Sequence, residues 1–178
     1  VISESGATLW AADTLARRGT LTLGDWVEAW KEYPAGQPGI FWSRDAYESC
    51  GPLDDQLHCA FDYDLWLRLA SRYPFYEIAA TVASFRVQRH SKSSNLYRLF
   101  VREMEASSRR YWGQRWTLDY WRRRVSSWIW WRSIGLAYDA ARLAHRDRAQ
   151  AARALGEALI CFPLAPIIRP RPFAAAAA

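Results

Sequence analysis

Two aspartates, Asp62 and Asp64, stand one residue apart in the segment FDYDLWLRLA. Carboxylates at this spacing can bind a divalent metal through their oxygen atoms, or one of them can remove a proton as a general base. A simpler interpretation is that Asp62 caps the helix that follows it. Residue types alone favour the cap. The choice among the three interpretations therefore depends on the neighbouring segments.

The run after the two acids predicts a helix over residues 62–73 that begins at Asp62 and ends before Pro74. The positions expected to face the core recur at helical spacing: Leu65, Trp66, Leu69 and Tyr73. On another face, Asp64 and Arg68 lie four residues apart and can form an ion pair. The first turn of a helix gives a carboxylate a rigid backbone, and the helix dipole there favours its charged form.

The composition describes a folded, basic chain of 178 residues, a length typical of one domain. Hydrophobic residues make up 51% of the chain, which excludes a disordered protein. The formal net charge of +6 comes mostly from arginine, because Lys31 and Lys92 are the only lysines. Such charge fits phosphate-bearing ligands, anionic lipid or nucleic acid. Three cysteines without a C-x-x-C pair disfavour a disulfide framework or a zinc site, so a cytoplasmic location is expected.

The sequence divides into a mixed α/β part, residues 1–95, and a helical part rich in tryptophan and arginine, residues 96–178. The first part is predicted to contain, in order, a short helix from Asp25, a strand over 36–44, a short helix closed by Gly51, the 62–73 helix and strand structure within 75–87. The second part is predicted to contain helices over about 96–111, 119–146 and 147–160. No apolar run is long enough to predict a membrane-spanning helix.

Four motifs follow one another in the first part: Q-P-x-x-F-x-x-R from Gln37 to Arg44, G-x-L-D from Gly51 to Asp54, D-Y-D-L-W-L-R-L from Asp62 to Leu69, and F-R followed by S-K-S from Phe85 to Ser93. In this order and spacing, residues 35–95 resemble the C-terminal half of a family 2 glycosyltransferase of the bacterial type that builds cell-surface polysaccharides. The resemblance covers about a third of the chain. It implies an α/β fold class, with the C-terminal part of a GT-A fold followed by a helical extension.

The resemblance gives Asp62 the role of the catalytic base, which takes the proton from the acceptor hydroxyl in an inverting transfer. Phe61 stands where many members have a glutamate, so the role of orienting the acceptor is left unfilled. In this family the metal-binding D-x-D follows an apolar strand, whereas Asp62 and Asp64 precede a helix. The two acids are therefore not expected to hold the metal, and the pair of Asp64 with Arg68 is expected to stiffen the helix that carries Asp62.

Further residues match the substrate-binding segments of the family. Arg86, Ser91 and Lys92 match the loop that closes over the donor diphosphate, where positive charge stabilises the departing nucleoside diphosphate. The residues expected to line the acceptor pocket are Gln37, Trp42 and Arg44. For Trp42, which can stack on a sugar face, the alternative is core packing. For Arg44, the alternative is a salt bridge at the start of a helix.

The resemblance also implies partners and a cofactor. The donor-binding half of the family, with its own D-x-D, is not recognisable here, so the chain is expected to be a fragment that is inactive in isolation. The implied partners are a nucleotide-sugar donor and a glycan or lipid-linked acceptor, and the implied cofactor is Mg²⁺ or Mn²⁺, held mainly by the other half. His90 is a candidate metal ligand, although a plain surface histidine is the simpler interpretation. The expected location is cytoplasmic or peripheral on the inner face of the plasma membrane.

Residues 112–146 combine six of the eleven tryptophans with arginine and have three interpretations. They can form helices packed on the first part with tryptophan as core, an interfacial element on an anionic membrane surface, or a nucleic-acid-binding surface. The third is disfavoured because no nucleic-acid-binding motif is present. The residues that approximate one apolar stripe are Trp121, Val125, Trp128, Gly135 and Tyr138. If the D-Y-D-L-W-L-R-L motif is only a capped helix, the alternative function is a non-catalytic membrane-surface or scaffold protein.

Overall fold

The computed structural model of the chain describes residues 2, 5–8, 19–31, 34–78, 80–86, 92 and 96–143. The elements in these residues are β1 (Thr20–Leu21), α1 (Leu23–Val27), α2 (Arg44–Cys50), α3 (Phe61–Ala70), β2 (Phe75–Tyr76), α4 (Tyr97–Arg109) and α5 (Leu118–Leu143). The described part of the chain is therefore mostly helical and contains one small antiparallel sheet, in which Thr20 pairs with Tyr76 and Leu21 with Phe75. It meets the expected α/β class only loosely.

The described residues group into two compact units. The first unit comprises those within Val1–Ala29 and Tyr33–Tyr111, and it contains both strands and the helices α1 to α4. The second comprises those within Trp30–Glu32 and Trp112–Phe173, and it contains α5.

The core of the first unit is centred on α3, which packs against α1, α2 and α4. Trp66 on α3 and Trp26 on α1 are fully buried, and their ring centroids lie 5.2 Å apart. The ring of Phe75 on β2 also lies 5.2 Å from that of Trp26. Ring pairs of this kind add about 0.5–1.5 kcal/mol beyond the burial of their area. The hydroxyl of Tyr63 donates to the backbone oxygen of Trp26 at 2.6 Å, so a buried hydrogen bond also joins α1 to α3.

The predicted strand over residues 36–44 is wrong. Gln37–Gly39 forms a short 3-10 helix, and residues 40–43 continue as chain outside any sheet. Pro38 lacks the N–H that a strand ladder requires, and in the described part of the chain β1 and β2 pair only with each other.

Among the described residues of the range 75–87, strand structure consists of β2 and one bridge between Arg86 and Ile2. The backbone N–H of Ile2 donates to the carbonyl oxygen of Phe85 at 2.9 Å. The described residues between β2 and this bridge form neither helix nor strand, although the segment is rich in β-branched and aromatic residues.

The helix predicted over 62–73 is present, but its bounds and its cap differ from the prediction. α3 begins at Phe61 and ends at Ala70, and its N-cap position is held by Ala60 rather than by Asp62. Leu65, Trp66 and Leu69 are buried as predicted. Tyr73 lies beyond the helix end and is 41% exposed, so its assignment to the core is wrong.

The other local predictions for the first unit are closer to the structure. α2 has Ser43 as its N-cap, whose hydroxyl oxygen accepts from the N–H of Ala46, and Gly51 closes the helix with a φ of 81°. Glycine adopts this positive φ without steric cost because it has no Cβ. α1 begins at Leu23, two residues before the predicted start at Asp25.

The second unit is held together by aromatic rings and small polar side chains. The ring of Trp112 lies 5.5 Å from that of Trp30 and 5.8 Å from that of Tyr120. The indole N–H of Trp30 donates to the buried hydroxyl of Ser126 on α5 at 3.2 Å. Trp30 and Trp112 thus form part of the core of the second unit.

The start of α5 agrees with the helix predicted over 119–146. The last three residues of that helix lie outside the described part of the chain, and so does the whole helix predicted over 147–160. In the predicted stripe, Trp121, Val125 and Trp128 are exposed and Gly135 is half-buried. The side chain of Tyr138 is not among those that the structure describes.

Candidate functional site

The start of α3 is anchored by a carboxylate from another helix. Glu103 on α4 accepts backbone hydrogen bonds from His58, Cys59 and Ala60 at 3.0, 2.7 and 2.9 Å. These N–H groups lie directly before the helix, where donors have no partner within the helix itself. Burial acts to raise the pKa of Glu103, but the three donors outweigh it and lower that pKa below its ordinary value.

Asp62 occupies the second position of α3 and is half-buried. One carboxylate oxygen, Oδ1, accepts the N–H of Tyr63 at 2.7 Å. Burial raises the pKa of Asp62 above its ordinary value, and the backbone donors only partly oppose that rise. The backbone donors at the helix start favour the charged form of Asp62, but the loss of hydration on burial outweighs them.

The pKa of the Cys59 thiol is affected by burial and by three charged groups. Burial raises this pKa, the carboxylates of Glu103 and Asp62 raise it further, and the ammonium of Lys92 lowers it. Lys92 and Asp62 therefore both act on one thiol. The carbonyl oxygen of Lys92 accepts the N–H of Leu96 at 2.8 Å, immediately before α4. Lys92 thus acts on the Cys59 thiol with the opposite sign to Glu103, which α4 supplies.

The predicted ion pair of Asp64 and Arg68 is present, with Nε of Arg68 2.9 Å from Oδ2 of Asp64. Asp64 is only 2% exposed, and Arg110 at the end of α4 donates to its other oxygen. Two guanidinium groups therefore compensate one buried carboxylate, as burial of a charge requires.

Arg68 also binds the loop that follows α2. Its Nη1 donates to the carbonyl oxygens of Cys50 and Gly51, the latter at 3.0 Å, and its Nη2 donates to that of Pro52 at 2.9 Å. One side chain thereby joins the G-x-L-D turn to the helix that carries Asp62. The contacts of Asp64 and Arg68 make both residues braces for this helix, in line with their expected supporting role.

The other predicted site residues lie in different places. Gln37 and Trp42 are exposed on the segment that leads to α2, and Arg44 is the exposed first residue of α2. A Cβ at Gly39 would lie 3.8 Å from Val82, so the 3-10 helix lies against the segment that ends in Arg86. Arg86 is exposed beside its bridge to Ile2, while Ser91 and His90 lie outside the described residues.

Sequence reasoning missed Glu103 and Arg110. The one signal in the sequence is the helical spacing of Glu103 with Ser107 and of Met104 with Ser108, which places a glutamate on a stripe otherwise made of small or apolar residues. All four side chains are buried in the structure. The signal identifies a face of α4 but not the amides that the glutamate binds.

Comparisons with protein-family models, with curated proteins and with solved structures find no match to this chain. Across the described helices, none is both long enough and apolar enough to cross a bilayer. The described side chains also contain no cluster of three or more histidine, cysteine, aspartate or glutamate residues that would hold a metal ion.

Proposed function

We propose that this chain supplies the acceptor side of an inverting glycosyltransferase, with Asp62 as the general base. The observation that carries the proposal is the half-buried carboxylate of Asp62, with a raised pKa, at the start of a helix held by Glu103 and Arg68. The donor is a nucleotide sugar, and the acceptor is a glycan or a lipid-linked glycan.

The raised pKa of Asp62 suits a base. Proton removal is most efficient when the pKa of the base lies near the working pH, and an ordinary aspartate lies well below neutrality. The backbone of Asp62 is fixed because Glu103 holds the three residues before α3 and Arg68 ties α3 to the preceding turn. A fixed base also removes part of the entropic cost of reaching the reactive geometry.

In the proposed reaction, the oxygen of the acceptor hydroxyl attacks the anomeric carbon of the donor sugar while Asp62 takes the hydroxyl proton. The bond from that carbon to the diphosphate oxygen breaks, and the nucleoside diphosphate leaves with the electron pair. A single displacement inverts the configuration at the anomeric carbon. Positive charge at Lys92, with Arg86 as the second matched residue, stabilises the charge that develops on the diphosphate.

The proposal treats the first unit as the C-terminal part of a GT-A domain. Support comes from the way in which Arg68 joins two of the matched motifs, the G-x-L-D turn and the D-Y-D-L-W-L-R-L helix. The described residues do not fit a metal site, so no step of the reaction is assigned to a metal held by them. The proposed location is peripheral, on the inner face of the plasma membrane, where a lipid-linked acceptor is presented.

The test is a transfer assay on the complete polypeptide that the gene encodes, with radiolabelled nucleoside-diphosphate sugars and membrane-extracted acceptors. Asp62→Asn is expected to lower kcat by about 10²- to 10⁴-fold, the usual contribution of a general base, while the KM for the donor stays unchanged. Asp45→Asn, in the exposed first turn of α2, is the matched control and is expected to retain the wild-type rate. A near wild-type rate for Asp62→Asn contradicts the proposal.

A further inference from the structure

One side of α5 presents exposed apolar side chains, which we name the α5 stripe. It consists of Leu118, Trp121, Val125 and Trp128, spaced alternately by three and four residues, and each of them is at least half exposed. At about 1.5 Å per residue, the stripe is about 15 Å long. Trp116, which is 79% exposed, stands just before it. Large apolar side chains grouped in this way on a surface mark an interaction site more often than single exposed residues do.

Arginines border the α5 stripe. Arg132 continues the stripe by one helical turn, is exposed, and holds its guanidinium 5.8 Å from the centroid of the Trp128 ring. Because each residue turns the helix by about 100°, Arg122 and Arg124 fall on opposite flanks of the stripe. The stretch 112–143 contains six arginines and two aspartates, which leaves a surplus of four positive charges.

One acid near the stripe, Asp119, offsets part of this charge. Asp119 pairs with Arg122 at 2.8 Å and with Arg123 at 3.1 Å, so one carboxylate is shared between two guanidinium groups. The side chain of Arg122 remains 46% exposed despite that pair. The surface around the stripe is therefore apolar in its centre and positive at its edges.

This combination fits the surface of an anionic bilayer better than the other partners considered. Tryptophan prefers the level of the lipid headgroups, and arginine at the edge of an apolar helix face meets anionic phosphate. A second copy of the same face would bring the bordering arginines against one another, and like charges that face each other are unfavourable. A nucleic acid would account for the charge but not for Leu118 and Val125 within the stripe.

We propose that the α5 stripe docks this protein on anionic lipid, with α5 lying along the surface and its tryptophans at headgroup depth. The aliphatic and indole side chains contact the upper part of the lipid acyl chains, and the bordering arginines bind lipid phosphates. The inference stands on the second unit alone and does not depend on the proposed transfer reaction.

The test is flotation of the 178-residue chain with vesicles of phosphatidylcholine alone or with added phosphatidylglycerol. The wild-type chain is expected to float with the anionic vesicles and to dissociate as salt is raised. Replacing Arg122→Gln and Arg132→Gln together is expected to lower binding to anionic vesicles by about 25-fold, since each charge near such a surface contributes about fivefold, or about 1 kcal/mol. Replacing Trp121→Ser and Trp128→Ser together is expected to lower it by about tenfold or more, through loss of apolar contact.

Two control variants match these changes outside the second unit. Tyr76→Ser removes an aromatic side chain that is 73% exposed, and Arg109→Gln removes an exposed arginine at the end of α4. Both are expected to float as the wild-type chain does. Circular dichroism verifies that each variant is folded, and the arginine variant decides the test if the tryptophan variant does not fold.

Three results overturn the inference. The first is equal loss of flotation in the control variants. The second is absence of flotation together with self-association, by sedimentation, that requires Trp121 and Trp128, which would assign the stripe to a second copy of the chain. The third is absence of flotation together with binding of a single-stranded oligonucleotide that requires the same two residues.

Discussion

At the scale of single residues, two carboxylates at the start of α3 have opposite pKa shifts. Asp62 is half-buried and its pKa is raised, whereas Glu103 accepts three backbone donors and its pKa is lowered. Two neighbouring acids whose environments shift their pKa values in opposite directions are suited to different roles. Glu103 is suited to remain charged and hold the backbone, and Asp62 is suited to exchange a proton.

The anchoring role of Glu103 leads to a prediction for Glu103→Gln. The amide group keeps the shape of the side chain but loses the charge and turns an N–H₂ toward one of the three backbone donors. We expect the free energy of unfolding at neutral pH to fall by about 1–3 kcal/mol, the range for a buried donor left without its acceptor. Urea denaturation followed by tryptophan fluorescence measures it.

Glu105→Gln provides the control on the same helix, because Glu105 pairs with Arg109 in a partly exposed i,i+4 ion pair. Such a pair contributes at most about 1 kcal/mol, so this variant should stay close to the wild-type stability. If both glutamine variants lose the same amount, the three hydrogen bonds of Glu103 do not anchor α3.

At the scale of elements, Arg68 links α2, the following turn and α3. Its guanidinium binds Asp64 within α3 and the carbonyl oxygens of residues 50–52. A planar guanidinium can reach several acceptors at once, whereas a lysine ammonium acts as a compact point charge. The position of the helix carrying the proposed base therefore depends on the shape of this side chain as well as on its charge.

Arg68→Met should lower the free energy of unfolding by about 3 kcal/mol, because it leaves Asp64 buried with one of its two partners and releases three carbonyl oxygens. Arg68→Lys should recover only part of that loss. The comparison variant is Arg72→Met, since Arg72 is exposed and donates to the backbone oxygen of Ser49 at the end of α2. Thermal unfolding measures all three, and equal melting temperatures for Arg68→Met and Arg72→Met would rule out the bracing role.

The elements that the sequence predicts well are those with local signals. Gly51 ends α2 as predicted, and the apolar spacing within α3 identifies its buried face. The predicted strand over 36–44 failed because a strand needs a partner, and apolar composition does not say whether one is near. Glu103 escaped prediction for the same physical reason, since its three donors come from a distant part of the sequence.

At the scale of the whole molecule, the two carboxylates give stability opposite dependences on pH. The folded pKa of Glu103 is depressed below its ordinary value of 4.5, so its contribution is present above that value and is lost as pH falls through the folded pKa. The folded pKa of Asp62 is raised above 3.8, so its charged form destabilises the fold at neutral pH, and that penalty is relieved as pH falls through its folded pKa.

The free energy of unfolding of the full chain, measured in urea between neutral pH and pH 3, tests this balance. Asp62→Asn should be more stable than the wild type at neutral pH, and the difference should disappear in acid, because the wild-type carboxyl is then neutral too. Glu103→Gln should lose less stability on acidification than the wild type does. An Asp62→Asn curve that runs parallel to the wild-type curve at all pH values would show that the pKa of Asp62 is not shifted by folding.

The hydrogen bonds from His58, Cys59 and Ala60 to Glu103 span 43 to 45 positions of the chain. Contacts of such separation form only after a long loop has closed, and the entropy of that closure has to be met first. On a translating ribosome, α3 therefore emerges with its leading amides uncapped, and the cap closes only after α4 has been synthesised. A chain cut after residue 95 would retain every motif that carries the resemblance and would lack the group that fixes the start of α3.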